Sequence, residues 1–472
     1  MQPLIERLPF FLHGPDVFEA LDNGNTACYL DSGIAHENLS RYSFVGVDPF
    51  MRFSTSGTSC CISERGGKTR YVKGSPFAEL ARLVESYSGN GPSPFPLSTG
   101  GAVGYFSYDL GRLLERLPNR TEDDLLLPEC NFAFFDGGVV LDHIAGCAYL
   151  VSTGLPFTGE AGRRHAGEKM SHWRSLLEAN AFKTAASTER QERRRGNHLQ
   201  SNFTKDAYCR SVEQALEYIA AGDIYQVNLS QRFTAQLETE PWELYRRLRY
   251  LNPAPFASFL RFPEVTIACS SPERFLLVEG DRVETRPIKG TRPRGHTPKE
   301  DAALREELAT SEKDRAELVM IVDLERNDLG RVCQTGSVEV TELFCLETYA
   351  TVYHLVSTVT GRLPSSKNVF DLLPNVFPGG SITGAPKIRA MEIIEELEPV
   401  RRNIYTGSLG YIDFAGRADL NIVIRTFVIK GNRVYFQVGG GIVADSQPEM
   451  EYQETLHKAR ALLGALGVME GS

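Results

Sequence analysis

The chain has 472 residues, 42% hydrophobic and 24% charged, and its 51 basic and 60 acidic side chains leave a net charge of −9. That length suits about three average domains or one large fold with two lobes, and the acidic balance excludes the basic face on which nucleic-acid binding usually depends. Nine scattered cysteines without a CxxC pair exclude a zinc ribbon or a disulfide framework; no run approaches the roughly 18 apolar residues of a membrane span, and the first residues lack the apolar stretch of a signal peptide, so a cytoplasmic protein is expected.

In chain order, residues 1–155 read as short strands and turns (TACYLDS, RYSFVGV, MRFSTSG, GAVGYFSYDLG, NFAFFDGGVVLDHI, CAYLVS), interrupted by a helix over 76–87. Residues 156–201 form a linker rich in small residues and charge, with the run Glu192, Arg193, Arg194, Arg195 and one helix over 172–179. From 202 to 465 the patterning is more regular. Tyr208, Val212, Ala215, Leu216 and Ile219 give helical spacing over 205–221, and Gly222 ends it. Over 224–233 the residues alternate: Tyr225, Val227 and Leu229 face one way, Gln226, Asn228 and Ser230 the other, which predicts a strand with a polar face. Further strands are expected at 257–261, 266–270, 275–279, 282–285 and 338–347, with helices over 311–324 and after Pro386. More strands run through 407–440, where Lys430, Gly431 and Asn432 form a hairpin-turn signal, and Ser446 to Glu449 has the form of a capping box opening the last helix. The class is α/β with many antiparallel pairs, without the strict alternation of a doubly wound sheet.

Several constellations carry chemical potential. Asp314 and Glu317, and again Glu451 and Glu454, stand three apart on predicted helices, so each pair shares a helix face. Such faces suit a hard cation such as Mg²⁺, although an acidic pair taken alone is a solvated surface. The segment from Gly379 to Lys387 runs glycines and small hydroxyl residues into a proline, leaving unsatisfied N–H groups for an anion or forming an ordinary helix start. It lacks Walker A spacing, and the run Gly439 to Gly441 lacks the dinucleotide pattern. Lys289 lies between Pro287 and Gly290 in a tightly fixed stretch. A lysine there is a nucleophile only if burial or a nearby cation depresses its pKa.

The stretches GDIYQVNLSQRF, SPERF, PIKGTRPRG, AELVMIVDLERNDLGRV, YHLVST, PGGSITGAPKIRAMEIIEELEP, NIVIRT and GGGIVADSQPEMEYQETLHKA, in this order, resemble the chorismate-utilising enzyme family and cover most of residues 203–460. The segments LDS and RYSFVGVDPF resemble the amino-terminal region of its anthranilate- and aminodeoxychorismate-forming members. The resemblance implies two facing, mainly antiparallel β-sheets flanked by helices, with 202–465 as the chorismate-binding catalytic region. It implies Mg²⁺ held by Glu317 and Glu454, with Asp314, where relatives often carry glutamate, and Glu451 acting through water. It places Tyr405, Arg425, Gly441 and Lys458 on the substrate carboxylates, and Ser381, Thr383, His354, Gln226, Gly290 and Thr291 in the same pocket. Glu273 matches the carboxyl that assists departure of the C4 hydroxyl.

Two positions select among family branches. Relatives that form isochorismate or salicylate carry a water-activating lysine where this chain has Gln226, and anthranilate-forming relatives usually carry alanine where it has Lys289. Lys289 resembles the nucleophile of aminodeoxychorismate-forming relatives. The expected reaction is therefore amination of chorismate at C4 through a Lys289 adduct, for 4-aminobenzoate and folate synthesis. Anthranilate formation is the rival activity, and a non-catalytic tryptophan-binding regulatory subunit the rival of another class. Ser32, Tyr42, Ser43, Phe256 and Ala257 match a tryptophan pocket of relatives, with alanine where feedback-regulated members often have methionine. With no GxCxG loop in the chain, ammonia is expected from a separate glutamine amidotransferase subunit, and a later lyase step from another protein.

Overall fold

In the strands Gly101–Phe106 and Cys130–Phe135, Val103, Tyr105, Ala133 and Phe135 point to one side and Ala102, Phe106, Phe132 and Phe134 to the other, all buried. Successive side chains on a strand face opposite ways, and a strand apolar on both faces needs cover on both. The fold supplies it in four layers: helices, sheet, sheet, helices. A computed structural model of the chain describes residues 2–9, 12–34, 39–89, 93–181, 199–349 and 352–468; the 192–195 charge run lies outside them.

Two twelve-stranded sheets stack face to face. One central layer of the core joins Cys28, Phe44, Leu260, Ile267 and Val428 of the first sheet to Val103, Tyr105, Phe135, Leu409 and Tyr411 of the second. On the outside of the first sheet, Phe18, Trp173, Tyr245 and Leu462 bring the helices Gly14–Leu21, Gly159–Ala181, Pro241–Leu251 and Pro448–Leu466 down onto Tyr29, Val45 and Phe259. On the outside of the second, Leu80, Leu318, Leu373 and Met391 do the same for Pro76–Ser86, Glu312–Gly330, Val369–Val376 and Lys387–Leu397.

Residues 1–155 and 202–465 do not own separate sheets. In the first sheet Ala27–Asp31 pairs antiparallel with Phe256–Arg261, placing Tyr29 opposite Phe259; in the second Gly101–Phe106 pairs with Ser408–Asp413, placing Phe106 opposite Ser408. The expected architecture of two facing antiparallel sheets flanked by helices is thus observed.

Three local expectations change. The helix expected over 172–179 runs from Gly159 to Ala181, because Ala166, Met170, Trp173 and Leu177 continue its buried stripe backwards. Ser446 does not form a capping box: the last helix has Gln447 at its N-cap with no side-chain bond, and the Ser446 hydroxyl donates to Glu451 at 2.7 Å. The strand expected to end at 440 continues to Ile442, so Gly439, Gly440 and Gly441 lie inside it. The predicted hairpin forms as read, Lys430 opposite Arg433 with Gly431 at φ 59°. Among the described residues, no helix is long and apolar enough to cross a membrane.

Candidate active site

The site begins with those three glycines. Strand Arg433–Ile442 pairs with Gln226–Gln236, placing Gly441 opposite Asn228. A Cβ on Gly441 would lie 2.3 Å from Gln226 Nε2 and 3.5 Å from Lys289 Nζ, and one on Gly440 would lie 3.1 Å from Glu451 Oε2 and 3.3 Å from Glu454 Oε1. A side chain at Gly441 would press on Gln226 and Lys289, and one at Gly440, on the other face of the strand, on Glu451 and Glu454. Lys289 belongs to Ile288–Pro293 in the second sheet, so the glycines of one sheet open a cleft into which the other projects its lysine.

Lys289 is half-buried, and its ammonium donates to the Ser381 carbonyl at 3.4 Å. The Ser381 hydroxyl donates to Glu273 Oε1 at 2.6 Å, so one residue of the short Gly380–Ile382 turn touches both. Burial lowers the lysine pKa and Lys458 presses the same way, against Glu317, Glu273 and Glu454. Burial raises the Glu273 pKa, against the Ser381 bond, Lys289, the Ile288 N–H and Arg425. The two shifts narrow the gap between the amine and the carboxyl.

The four helix carboxylates differ in their partners. Glu454 pairs with Lys458 at 2.7 Å, which holds its carboxyl below the usual range although burial alone would raise it. Glu317 is raised by burial, with Asp314 and Glu454 adding like charge against Lys289 and Lys313. Glu451 is buried and accepts from Ser446. Asp314 accepts from Arg292 at 3.1 Å and packs against Gly290, whose φ of 78° and lack of a Cβ allow the approach. Among the described residues, no group of three or more His, Cys, Asp or Glu forms a metal cage. Mg²⁺ needs only one or two carboxylates beside water and substrate oxygens, and the hard oxygens converging over Gly440 fit that donor chemistry.

Opposite them, Arg425 takes φ 51° and its guanidinium donates to the neutral Asn252 amide at 3.1 Å. His354 shares a 2.8 Å hydrogen bond with the Thr291 hydroxyl through Nδ1. Burial, with Arg425 adding to it, depresses the ring to about 3, so it is neutral. Tyr405 is buried 5.9 Å from the Arg402 guanidinium. Thr383 turns its hydroxyl back to the Gly379 carbonyl at 3.0 Å, and Lys458 also donates to Gly439 at 2.9 Å. Lys387, at the end of the glycine-rich segment, is paired with the Asp328 carboxylate and also donates to the Val376 carbonyl, and Pro386 occupies the N-cap position of its helix rather than the first turn. Of the fourteen buried side-chain polar atoms that find no protein partner among the described residues, three belong to these residues: Gln226 Oε1, Asn228 Oδ1 and His354 Nε2.

The amino-terminal residues gather separately. Ser32 N–H donates to Ser43 Oγ at 2.9 Å, Ser32 Oγ to the Tyr42 carbonyl at 2.7 Å, and Ser43 shares a 2.7 Å bond with His143. Ala257 lies opposite Asp31, and the Phe256 ring packs under Arg274 at 5.0 Å.

Asn228, Asn252 and Glu325 escaped assignment in the sequence. Asn228 was legible as the second polar position of the alternating strand. Glu325 is buried, accepts from Thr285 at 2.6 Å and is pushed up to about 8 by burial, with Glu273 and Asp328 adding to it; nothing in sequence separates it from surface glutamates.

The profile of the family described as chorismate binding enzyme matches residues 26–464. The chain is 42% identical over 456 residues to anthranilate synthase component 1 of Acetivibrio thermocellus, covering 95% of this chain and 92% of that one. It is 41% identical over 458 residues to aminodeoxychorismate synthase component 1 of Escherichia coli K12, covering 95% of each. The crystal structure of anthranilate synthase component I from Streptococcus pneumoniae superposes with a TM-score of 0.78 at 32% identity, covering 90% of this chain and 93% of that one.

Proposed function

The chain belongs to the chorismate binding enzyme family, and we propose that within it this protein aminates chorismate at C4 to give 4-amino-4-deoxychorismate, as an aminodeoxychorismate synthase component 1. The observation that carries the reading is the bridge through Ser381: its carbonyl holds the Lys289 amine and its hydroxyl holds the Glu273 carboxyl.

The steps follow from what each group can do. Lys289, once deprotonated, attacks C2 of the ring, the diene shifts, and the C4–O bond breaks while Glu273 delivers the proton that lets oxygen leave as water. Ammonia then attacks C4, the double bonds shift back, and the C2–Nζ bond breaks to release the lysine. Arg425 offers a planar fork for a substrate carboxylate, and the neutral His354 ring, Gln226 and Asn228 offer polar edges to the remaining oxygens. Glu317 and Glu454, with Glu451 and Asp314 through water, would hold Mg²⁺, which supplies neutralisation of substrate negative charge when bound. Ammonia would come from a separate glutamine amidotransferase; the "component 1" in the relatives' names supports that division of labour, and the product would serve 4-aminobenzoate and folate synthesis.

The relatives divide between two activities at nearly the same identity, 42% and 41%, so product identity is the test. Incubation with chorismate, Mg²⁺ and ammonium salt should give a product with the mass of aminodeoxychorismate, convertible to 4-aminobenzoate by added lyase. Fluorescent anthranilate with pyruvate would overturn the reading.

A further inference from the structure

Behind the Ser381 turn lies an ion pair that the reaction steps do not use. Glu398, at the C-cap of the helix Lys387–Leu397, and Arg402, in the loop beyond it, are almost wholly buried, with side-chain exposures of 2% and 1%. Their carboxylate and guanidinium meet in a fork, Nε to Oε2 at 2.9 Å and Nη2 to Oε1 at 2.7 Å. Both reach beyond the pair. Arg402 Nη1 donates to the Ile382 carbonyl at 3.0 Å, and Nη2 to the Asn228 carbonyl at 2.7 Å. Glu398 Oε1 accepts from the Ser230 N–H and hydroxyl, each at 2.8 Å. The Arg402 guanidinium also lies over the Tyr108 ring at 4.9 Å.

We infer that Arg402, held by Glu398, is a positioning residue: it clamps the turn that carries Ser381 to the strand that carries Gln226 and Asn228, and thereby holds the Ser381 hydroxyl on Glu273. Backbone ties join the same walls beyond the turn: Gly384–Ala385 pairs antiparallel with Val227 and Gln226, and Tyr225 N–H donates to the Ala385 carbonyl at 2.8 Å. Asn228 N–H donates to the Thr383 carbonyl at 2.8 Å, one residue past the Ile382 carbonyl that Arg402 grips, so guanidinium and backbone together fix both ends of a two-residue span. A lysine ammonium is a compact point charge and cannot reproduce the planar fork that spans carboxylate and two carbonyls. Around Glu273 the groups that set its protonation are Ser381 from the turn, the Ile288 N–H and Lys289 from one strand, Arg425 from the end of another, and Glu325 from the helix Glu312–Gly330. Of these, the clamp governs only Ser381.

The inference rests on the roles given above to Glu273 and Ser381 but not on which nitrogen product forms, because chorismate loss can be followed whatever results. The experiment compares pH profiles of kcat/KM for chorismate loss in wild type, Ser381→Ala, Arg402→Lys, Glu398→Gln and the Ser381→Ala/Arg402→Lys double variant, with thermal melts of each. Because the Ser381 bond lowers the Glu273 pKa, its loss moves the limb governed by Glu273 to higher pH in Ser381→Ala. Arg402→Lys should move the same limb the same way and cost roughly tenfold to a hundredfold in kcat/KM, the effect of a displacement of about 1 Å. Glu398→Gln, which keeps the arginine and weakens its anchor, should do the same to a smaller degree and provides the answer if the lysine variant does not fold. In the double variant the two losses should not multiply. An unmoved limb in Arg402→Lys or Glu398→Gln, or fully multiplicative losses in the double variant, would make the pair a stabiliser only. Wild type that consumes no chorismate would overturn the functional reading itself.

Discussion

Two polar clusters matched the family's binding positions, and their bonding differs. Around Ser32 and Ser43 the groups satisfy one another: Ser32 bonds Ser43 and the Tyr42 backbone, Ser43 meets His143, and Asp31 accepts from Tyr29 at 2.7 Å, Tyr245 at 2.8 Å and Arg249 at 2.5 Å. In the cleft, Gln226 Oε1, Asn228 Oδ1 and His354 Nε2 have no protein partner, and Arg425 faces only a neutral amide across its hydrogen bond. A buried polar group without a partner costs about 1–3 kcal/mol, so three such groups in one cleft favour a ligand or water that meets them. Resemblance alone ranks the clusters equally; bonding separates them.

The contrast would be broken or sharpened first at the chemistry. Lys289→Ala should abolish the covalent adduct, read by intact-protein mass spectrometry after mixing with chorismate, and Glu273→Gln should slow turnover by roughly 10²–10⁴-fold. An undiminished adduct in the alanine variant would remove Lys289 as nucleophile. Arg425→Lys comes next, with a loss of about 1.5–3 kcal/mol in substrate binding, the size of a hydrogen bond to a charged group, appearing in KM.

His354 gives a smaller effect with a definite sign. Its ring titrates near 3 in the fold against about 6.5 unfolded, so the stability it contributes is present above pH 6.5 and is lost progressively as pH falls toward 3. Denaturant titrations should show His354→Phe losing about 2 kcal/mol less than wild type between pH 7 and pH 5. Equal losses would mean the ring is not held neutral.

The self-satisfied cluster should matter least to turnover. Asp31→Asn should lower stability by about 3 kcal/mol, as breaking a buried ion pair does, while kcat/KM for chorismate stays within about twofold, in line with additivity between distant sites. Added tryptophan should change neither calorimetric heat nor rate, on protein first shown to be free of it. Heat on titration would mean that the bonds around Ser43 open for a ligand and that the contrast is one of occupancy.

Much of this was legible in the sequence where the signal is local. The alternation gave the polar strand face from Gln226 onward, although Tyr225 lies outside the strand and is exposed, and Asp314 with Glu317 fell on one helix as their spacing requires. What escaped depends on distant partners. Arg402 is one of many arginines until Ile382 and Asn228 are brought to it from opposite sides. Ser446 satisfied a capping pattern, but its hydroxyl donates to the buried Glu451 carboxylate and accepts from the Val443 N–H before the helix instead of from an N–H within it. The helix Pro241–Leu251 was passed over although Pro241 opens it and Leu244, Tyr245 and Leu248 form its buried stripe, because three arginines among them mask the periodicity.

The interleaving of the two sheets has a consequence for how the chain reaches its native state. Ala27–Asp31 cannot be completed until Phe256–Arg261 exists, and Gly101–Phe106 waits for Ser408–Asp413 near the far end. Such high contact order makes folding slow, and the first 155 residues, emerging early from the ribosome, carry unpaired strand edges throughout synthesis. The amino-terminal third therefore contributes five late-maturing strands to each twelve-stranded sheet, and swapping it between relatives replaces one partner in each of the two ladders that join it to the rest.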